Sequence, residues 1–408
     1  MSLVRTYKYR LCPTKKQIYI LDSQLELCRR LYNKMLKQRI DIYKRKKVSL
    51  KYKHQQNQLP LIKSNKPEYK DIHSQVLQKT LKTLDLAFQG FFRRLKTSGK
   101  AGFPRYKGKN RVDSICYTQS GFSFDEQGKL KLSKIGNIKI KKHREIEGVI
   151  KTCAIKKTST GKWYACFSVE KELDTPLPKT HKEVGVDLGI NTFAVLSDGK
   201  EIETTKHLKL KKKKLDKAYR SLSKKKKGGQ NRRKERLRVA RIHEKVVNSR
   251  NDFLHKHSRK LVENYDIIVH EKLKISNMSR SSKGTIEKPG KMVKQKSGLN
   301  RNILDMSWGK FLELLTYKAE EAGKEVIGVD PKKTSQLCSQ CGSIVVKTLS
   351  DREHDCPFCS LKMDRDLNAS INILNRYKSA VGTMAEACGG VEITQPVKQE
   401  APSKCVSI

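Results

Sequence analysis

Residues 183–199 read EVGVDLGINTFAVLSDG. The apolar run from Val184 to Ile190 predicts a buried strand, and Phe193 to Leu196, before the Asp198-Gly199 turn, predicts its hairpin partner. Asp187 lies inside the apolar run, where an ionised carboxylate costs several kcal/mol unless a cation balances it. The stretch therefore predicts a sheet that carries an acidic group close to the end of a buried strand.

Two other acids occupy similar places. Glu271 closes the apolar strand IIVHE, and Asp366 stands directly before a helix in MDRDLNASINI. Asp366 taken alone is more typical of a helix cap. Taken as a set, the three carboxylates could bind a pair of Mg2+ or Mn2+ ions, which select hard oxygen ligands and catalyse phosphodiester hydrolysis. The sequence does not show that the three meet in space, so the set is a hypothesis.

The charge of the chain indicates a polyanionic partner. With 89 Lys and Arg against 41 Asp and Glu, the net charge is +48. Nucleic acid is the expected partner, because neutralising phosphates releases counterions; a solubilising surface, or a coat on membranes or acidic polymers, is the alternative. The stretch from Lys206 to Arg241 concentrates this charge and is predicted to form two helices, broken at Gly228-Gly229.

Composition excludes several classes. Hydrophobic residues at 36% are too many for a wholly disordered basic tail. No apolar run approaches the roughly 20 residues that span a bilayer, and MSLVRTYKYRL lacks the apolar core of a signal peptide. The odd number of cysteines, 11, argues against a secreted disulfide framework. An intracellular, cytoplasmic location with no membrane partner is therefore expected.

Four cysteines form two CxxC pairs, Cys338/Cys341 and Cys356/Cys359, with 14 residues between the pairs. This spacing predicts a four-thiolate zinc ribbon. A redox CxxC or an iron–sulfur site are the alternatives. A zinc ion held by four thiolates has no open position, so its role would be structural. His354 lies nearby and is interpreted as a surface histidine.

The first half of the chain alternates between strand and helix patterns. A strand from Val4 to Leu11 precedes a capping box of Thr14 and Gln17, which predicts the start of a long helix. The apolar positions of this helix and of a second one repeat at helical spacing. They are Ile18, Leu21, Leu25, Cys28, Leu31 and Met35 in the first, and Leu77, Leu81, Leu84, Phe88, Phe91 and Leu95 in the second.

Short strands follow between Ser114 and Glu172, and we expect them to form a small β-barrel with the N-terminal strand. Further along, Ser276–Gly298 is predicted to be a mobile loop, either a lid or a linker without function. A single helix is predicted over Ile303–Ala322 and a strand over Glu325–Val329. The tail from residue 382 lacks periodicity and is expected to be disordered.

Several motifs resemble the TnpB family of transposon-encoded proteins, which is similar to the type V CRISPR effector nucleases. They are YKYRLCPT (7–14), LYNK (31–34), GFPRYK (102–107), GVDLGIN (185–191), VHEKLK (269–274), SQLCSQCG (335–342) and DRDLNASINI (364–373). They occur in the family's order over roughly residues 4 to 380. The resemblance implies a multidomain α+β fold. In it, a wedge-like N-terminal β-barrel with an inserted helical recognition domain precedes an RNase H-like RuvC nuclease domain, which a zinc ribbon interrupts.

The resemblance also implies domain boundaries. The wedge barrel would comprise residues 1–13 and 112–180, the recognition domain 14–111, and the RuvC domain 181–334 and 361–381. The zinc ribbon would comprise 335–360 and the disordered tail 382–408.

The implied activity is RNA-guided, metal-dependent cleavage of double-stranded DNA. The guide would be an RNA copied from the transposon end, bound to one protein monomer in the nucleoid of a prokaryotic cell, and a short motif beside the target would be read by the N-terminal module. The family's acids match Asp187, Glu271 and Asp366, the last in preference to Asp364, with two Mg2+ or Mn2+ ions and one structural Zn2+. Tyr52 and Gln78 fall where the family contacts the target-adjacent motif. The resemblance further implies that the basic helices of Lys206–Arg241 line the channel for guide RNA or heteroduplex; a solvated basic face without fixed contacts is the alternative.

Three other functions stay open at this point. A relative without nuclease activity could use its guide only to occupy DNA as a repressor, although such proteins usually lose one of the three acids. A transposase could perform strand transfer with the same chemistry. An RNA-binding structural protein could carry the acids by accident.

Overall fold

The computed structural model describes residues 2–97, 101–172, 176–348 and 350–387. The chain divides into two compact units. Unit 1 comprises Met1–Leu173 with Ser221–Arg241, and unit 2 comprises Asp174–Arg220 with Ile242–Ile408. The two units have separate hydrophobic cores, each built on its own sheet.

Unit 1 contains a seven-stranded sheet in the order β2-β6-β7-β1-β5-β4-β3. Its strands are β1 (Ser2–Cys12), β2 (Ser114–Tyr117), β3 (Phe122–Phe124), β4 (Leu130–Leu132), β5 (Gly136–Lys141), β6 (Val149–Lys157) and β7 (Trp163–Glu172). The N-terminal strand β1 pairs antiparallel with both β7 and β5. The expected joining of the first strand to the later ones is therefore confirmed.

The sheet of unit 1 curls into a nearly closed barrel. Its two edge strands, β2 and β3, are consecutive in the chain, and only residues 118–121 separate Tyr117 from Phe122. Seven flat strands would place the edges about 29 Å apart, whereas five Cα–Cα steps reach at most about 18 Å. The short connection therefore requires the sheet to bend back on itself, as the predicted barrel does.

The helices of unit 1 lie between β1 and β2 in the chain. They are α1 (Lys15–Lys46), α2 (Tyr52–Gln56), α3 (Leu59–Asn65) and α4 (Ser74–Lys96), with a short 3-10 turn over Pro67–Asp71. Thr14 and Gln17 form the predicted capping box at the start of α1. The predicted apolar stripes face the core of unit 1, where Leu21, Leu31, Leu77 and Leu81 are fully buried. Exposed Leu95 is an exception at the end of α4.

A buried ion pair joins α1 to α4. Arg39 donates to Asp85 at 3.1 Å and to the side chain of Gln55 at 2.8 Å, and both charged side chains are at most 12% exposed. Removing the carboxylate leaves a buried guanidinium without its counter-charge, which is among the more costly single changes in a core. We expect Asp85→Ala to lower the free energy of unfolding by about 3 kcal/mol, measured by urea denaturation.

Glu145→Ala is the matched control for Asp85→Ala. Glu145 also pairs with a basic residue, Lys142, at 2.8 Å, but its side chain is 81% exposed. An exposed pair of this kind contributes at most about 1 kcal/mol. Equal destabilisation by the two variants would contradict the role given to the buried pair.

Unit 2 contains a five-stranded sheet in the order β10-β9-β8-β11-β12. The strands are β8 (Glu183–Leu188), β9 (Thr192–Leu196), β10 (Glu201–Glu203), β11 (Ile267–Glu271) and β12 (Glu325–Val329). β8, β9 and β10 are antiparallel neighbours, whereas β11 runs parallel to both β8 and β12. The predicted hairpin and the two predicted later strands are therefore confirmed.

The helices described in unit 2 are α5 to α10. They are α5 (His207–Ser223), α6 (Gln230–Asn264), α7 (Ile275–Met278), α8 (Val293–Met306), α9 (Trp308–Glu321) and α10 (Arg365–Ala387). The end of α5 and the start of α6 lie in the Ser221–Arg241 segment, which belongs to unit 1. The break between α5 and α6 falls at Gly228-Gly229, as predicted. Phe193 of β9 meets Phe253 of α6 and Phe311 of α9 edge to face, each at 5.0 Å between ring centroids. These aromatic contacts form the centre of the core of unit 2.

Two predictions for residues 276–322 need correction. The segment predicted as a loop is non-helical over residues 279–292, but its ends belong to α7 and α8. Lys296 and Asn300 of α8 donate to the carbonyl groups of Met278 and Ser279 at 2.7 and 3.0 Å, which ties the two ends together. The single helix predicted over Ile303–Ala322 is two helices. Ser307 breaks it with a φ of 57°, a left-handed conformation that a continuous helix does not contain.

The predicted disordered tail begins too early, since α10 continues to Ala387. The rest of that tail, residues 388–408, lies outside the described residues. Across the described ranges, no helix combines the length and apolarity needed to cross a membrane.

Candidate functional site

Asp187 and Glu271 occupy equivalent positions on neighbouring parallel strands. The register pairs Val186 of β8 with His270 of β11, and one further residue along each strand brings Asp187 beside Glu271. Residues that are paired in register on adjacent strands point to the same face of the sheet, and adjacent strands lie about 4.8 Å apart. The sheet therefore holds these two carboxylates together at its carboxyl edge.

Helix α10 packs directly on β8. A Cβ atom built on Gly185 would lie 2.0 Å from the carbonyl oxygen of Ser370, so only glycine allows this approach. Gly185 is two residues before Asp187 and faces the same side of the sheet. Since Asp366 lies in the first turn of α10, the packing at Gly185 brings the third acid to the face that carries the other two.

The carboxylates of Glu271 and Asp366 act electrostatically on Asp187. Burial raises the pKa of Asp187 to about 7, with smaller contributions from the negative charges of Glu271 and Asp366, and Arg365 opposes the shift. Burial likewise raises the pKa of Glu271, against a hydrogen bond from Thr334. A half-buried cluster of carboxylates with this property stabilises a bound cation, because the cation removes the repulsion that disfavours the ionised forms.

Asp364 and Asp366 have different roles in the same motif. Asp364 accepts hydrogen bonds from the backbone N–H groups of Asp366 and Leu367 at 2.8 and 3.0 Å, which makes Asp364 the cap of α10. The carboxylate of Asp366 accepts from the guanidinium of Arg365 at 2.9 and 3.0 Å. Asp364, the first acid of DRDLN, therefore caps the helix. Asp366 does not serve as the cap and instead forms an ion pair with Arg365.

The four cysteine sulfurs converge on one point. All four Sγ atoms lie within 4.8 Å of one another, with Cys338 and Cys359 at 3.5 Å and Cys341 and Cys356 at 3.6 Å. A tetrahedral zinc with sulfur at about 2.3 Å separates its ligands by about 3.8 Å, whereas a disulfide needs about 2.05 Å. The geometry fits a metal ion. It is also the one group of three or more metal-binding side chains this tightly clustered within the described ranges.

The two halves of the cysteine site repeat one backbone design. Gly342 and Ser360 each follow the second cysteine of their pair and donate to the carbonyl of the first, at 3.0 and 2.9 Å. Both have a positive φ, 74° and 58°. The strands β13 (Glu353–Asp355) and β14 (Lys362–Asp364) pair antiparallel beside the second knuckle.

The interpretation of His354 as a surface residue is wrong. Its side chain is completely buried, and Nδ1 contacts the ammonium group of Lys347. His354 lies on β13 opposite Met363, so the hairpin covers the ring. Four thiolates are present without it, and His354 instead helps to fill the small core of the ribbon.

The residues that join the ribbon to the acids were not predicted from the sequence. Asn368 accepts from the backbone of Ser339 at 2.9 Å and donates to that of Leu337 at 2.8 Å, and Asn372 donates to Leu337 and Thr334. The hydroxyl of Thr334 in turn donates to Glu271. The signal was present in the sequence, since two buried asparagines four residues apart lie on one face of the helix.

The structure places Tyr52 and Gln78 on helices of unit 1 that touch each other. Tyr52 begins α2, Gln78 lies in α4, and both side chains are half-buried. The ammonium group of Lys82, one turn after Gln78, lies 5.2 Å from the centre of the Tyr52 ring. Their contact with DNA stays a prediction.

Comparison with known proteins adds to this geometry. Residues 166–282 match the family model OrfB_IS605, described as "Probable transposase", residues 308–373 match the Cas12f1-like TNB domain, and residues 1–47 match a model described as a helix-turn-helix domain. The chain is 34% identical to "Putative RNA-guided DNA endonuclease InsQ" of Escherichia coli (strain K12) over 98% of each chain. The chain belongs to the TnpB family.

A second member of the TnpB family, "Putative RNA-guided DNA endonuclease" of Streptomyces pristinaespiralis, is 33% identical over 94% of this chain and 91% of its own. Among solved structures, a Cas12f1 chain from a complex with sgRNA and target DNA matches with a TM-score of 0.56 at 13% identity, over 91% of this chain and 98% of that one. This likeness concerns the fold. The residues matched as a helix-turn-helix form β1 and the single long helix α1 here, up to the left-handed Lys47 that ends the helix.

Gly185 gives a direct test of the packing that this TnpB chain uses to gather its acids. We expect Gly185→Ala to lower the target-cleavage rate at least tenfold, because the added methyl group must push α10, and Asp366 with it, away from the sheet. The variant should also unfold at lower urea concentration. The rate is measured with the RNA-loaded protein on matched duplex DNA.

Gly298→Ala is the control for this substitution. Gly298 lies in α8, and a Cβ atom there meets nothing within 4 Å. Because alanine favours a helix by up to about 1 kcal/mol over glycine, this variant should be as active as the parent and no less stable. Full activity of Gly185→Ala would contradict the close-packing argument.

Proposed function

We propose that this protein is an RNA-guided endonuclease that cuts double-stranded DNA. The proposal rests on membership of the TnpB family, whose full-length relatives carry that name. The observation that carries it in this chain is that the register of β8 and β11 brings Asp187 beside Glu271, with α10 packed at Gly185 beside them. The net charge of +48 suits a protein that holds a guide RNA and its DNA target at once.

We assign the sheet of unit 2 to an RNase H-like RuvC nuclease domain. Three antiparallel strands followed by two parallel ones, with a helix on the face of β8, support this assignment. The assignment places the catalytic centre where Asp187, Glu271 and Asp366 approach one another. The nearly closed sheet of unit 1 would be the wedge barrel, and the helices between β1 and β2 would be the recognition domain.

The reaction would be hydrolysis of a phosphodiester bond. A water molecule attacks the phosphorus atom and releases a proton to solvent, the P–O3′ bond breaks, and the leaving O3′ takes up a proton from solvent, so the products are a 5′-phosphate and a 3′-hydroxyl. Two bound Mg2+ or Mn2+ ions would supply the activated water and neutralise the leaving oxygen. The chain contributes the positions of the carboxylates: Thr334 orients Glu271, and Arg365 holds Asp366 until a stronger cation competes for it.

The residues present fit such ions. The donor set consists of carboxylate oxygens, which Mg2+ and Mn2+ prefer to the sulfur and imidazole ligands of zinc. Burial and like charge raise the pKa of Asp187, so a divalent cation at this place would be stabilising. Asp187, Glu271 and Asp366 would be the ligands.

The four thiolates would hold one structural Zn2+, since Cys338, Cys341, Cys356 and Cys359 leave no open coordination position. The hydrogen bonds of Asn368 and Asn372 with the backbone at the base of the ribbon would then hold α10 in a fixed position against the ribbon. One protein monomer would bind one guide RNA copied from the end of its transposon. Tyr52 and Gln78 are proposed to face the short motif beside the target.

The experiment that tests the function begins with the RNA that co-purifies with the protein. Sequencing should reveal one RNA species with a constant region and a guide segment, and the loaded protein should cut a duplex that matches the guide when Mg2+ is present. Guide-dependent binding without cutting would favour a repressor. Joining of DNA ends to a new strand would favour a transposase, and RNA binding without guide-dependent DNA recognition would favour a structural RNA-binding protein.

A further inference from the structure

A second cleft of unit 2 lies at the tip of the β8–β9 hairpin. It encloses about 250 Å3 between that tip, the start of α5 and the end of α8. Its polar lining consists mainly of side chains that donate hydrogen bonds: Asn191, Lys206, Lys209, Lys212, Arg301 and Asn302. Among the residues that the structure describes, none of these six side chains has an ion pair or a hydrogen bond. The cleft therefore presents four positive charges and two amides that are not used in the fold.

The one acid that lines this cleft is already satisfied. Asp305 is buried, pairs with Arg250 of α6 at 2.5 Å and accepts from the backbone N–H of Leu208 at 3.0 Å. These contacts fix the start of α5: Lys206 directly precedes the helix, Lys209 lies in its first turn and Lys212 in the next. Because Asp305 is neutralised by Arg250, the remaining four cations face the cleft without a counter-charge from the lining.

The cleft lies at the same edge of the sheet as the carboxylates. Asp187 pairs with Val195 and Leu188 with Ala194, so Asn191 is at the hairpin tip, just beyond the end of β8. Four residues of chain reach at most about 14 Å. Successive phosphates of one DNA strand advance about 3.4 Å along a duplex. A strand whose phosphodiester is at Asp187 would thus have another phosphate at the cleft within a few nucleotides.

We propose that this cleft binds a backbone phosphate of the DNA strand being cut, within a few nucleotides of the cut bond, and so positions that bond at the acids. The inference rests on the proposed function. The residues that would do this are Lys209 and Arg301, supported by Asn191, and they are positioning residues because they do not touch the reacting atoms. A planar guanidinium group and an amide N–H group suit the several acceptor oxygens of a tetrahedral phosphate group.

The size of the cleft favours a strand over a free nucleotide. Small-molecule pockets commonly measure about 300–1,000 Å3, whereas this cleft is smaller, at about 250 Å3, and its unpaired charges are all positive. Four of its six unpaired polar side chains are cations, which match the charge of backbone phosphates rather than the edge of a base. Contact with the backbone alone suits an enzyme that must cut whatever sequence its guide selects.

The test compares cleavage by the RNA-loaded parent, a Lys209→Gln/Arg301→Gln double variant and the control Lys213→Gln. Lys213 is also an exposed lysine of α5 but does not line the cleft. Single-turnover rates are measured on a set of target duplexes, each with one neutral methylphosphonate in place of a phosphate near the cut. On unmodified DNA the double variant should cut roughly tenfold to a hundredfold more slowly, as expected for lost charged hydrogen bonds, and Lys213→Gln within about twofold of the parent.

The decisive result is coupling between the protein charge and one phosphate. One methylphosphonate position should slow the parent and Lys213→Gln by about the same factor, yet should not slow the double variant further. If the double variant is slowed equally at every position, or cuts as fast as Lys213→Gln, the inference is wrong. If its loss follows weaker guide binding, the cleft holds RNA and the inference is again wrong. A parent that fails to cut contradicts the proposed function itself.

Discussion

Glu271→Gln and Asp187→Asn should each lower the target-cleavage rate by about a thousandfold or more, because each removes one negative charge from the paired carboxylates that would bind the divalent ions. The substituted amides keep the shape of the carboxylates, so the fold of unit 2 should persist. Since both acids have a raised pKa from burial, loss of their charge should not destabilise the apoprotein. Guide binding and target binding, measured by electrophoretic mobility shift, should stay close to those of the parent.

The control for these variants is Glu201→Gln. Glu201 lies on β10 of the same sheet and is exposed to solvent. The substitution removes an equal charge at a position outside the proposed metal ligands, so the cleavage rate should change little. A variant at Asp187 or Glu271 that cuts at the parent's rate would show that the catalytic centre lies elsewhere.

The same assay separates the two acids of DRDLN. Asp366→Asn should behave as Glu271→Gln does, whereas Asp364→Asn should retain most activity, because asparagine caps a helix about as well as aspartate. The opposite ranking would transfer the third catalytic role to Asp364.

Cys356→Ser should reduce the zinc content from about one ion per chain to nearly none and abolish cleavage. A structural zinc site contributes about 10–16 kcal/mol of binding free energy to folding, and the ribbon is joined to α10 and Glu271 through Asn372 and Thr334. Loss of the metal should therefore disorder both the ribbon and the approach of Asp366 to the sheet. Zinc is measured by inductively coupled plasma mass spectrometry on the purified variant.

Cys12→Ser provides the comparison for this variant, because Cys12 is an exposed free cysteine at the end of β1. It should retain both zinc and cleavage. If Cys356→Ser lost its zinc and still cut DNA at the parent's rate, the ribbon would have no part in holding the acids.

Much of the secondary structure followed from local patterns. The capping box at Thr14, the apolar stripes of α1 and α4, and the break at Gly228-Gly229 depend on residues within a few positions of one another, and the structure confirms them. The helix break at Ser307 and the fold of α7 were not predicted. The end of α7 is held by bonds from Lys296 and Asn300 of α8 to the carbonyl groups of Met278 and Ser279, which are specific to the tertiary structure.

By itself, the sequence determined the charge that calls for nucleic acid, the spacing of the four cysteines and the motifs of the TnpB family, because each of these is a property of composition or of short spacing. It also named three acids, but not their arrangement. Only the tertiary structure decided that Asp187 lies beside Glu271, that Gly185 admits α10, that Asp364 is the cap, and that His354 is buried. The physical reason is that strand register and the close approach of a helix to a sheet are contacts between distant parts of the chain. Local patterns in the sequence do not specify such contacts, because they relate only residues a few positions apart.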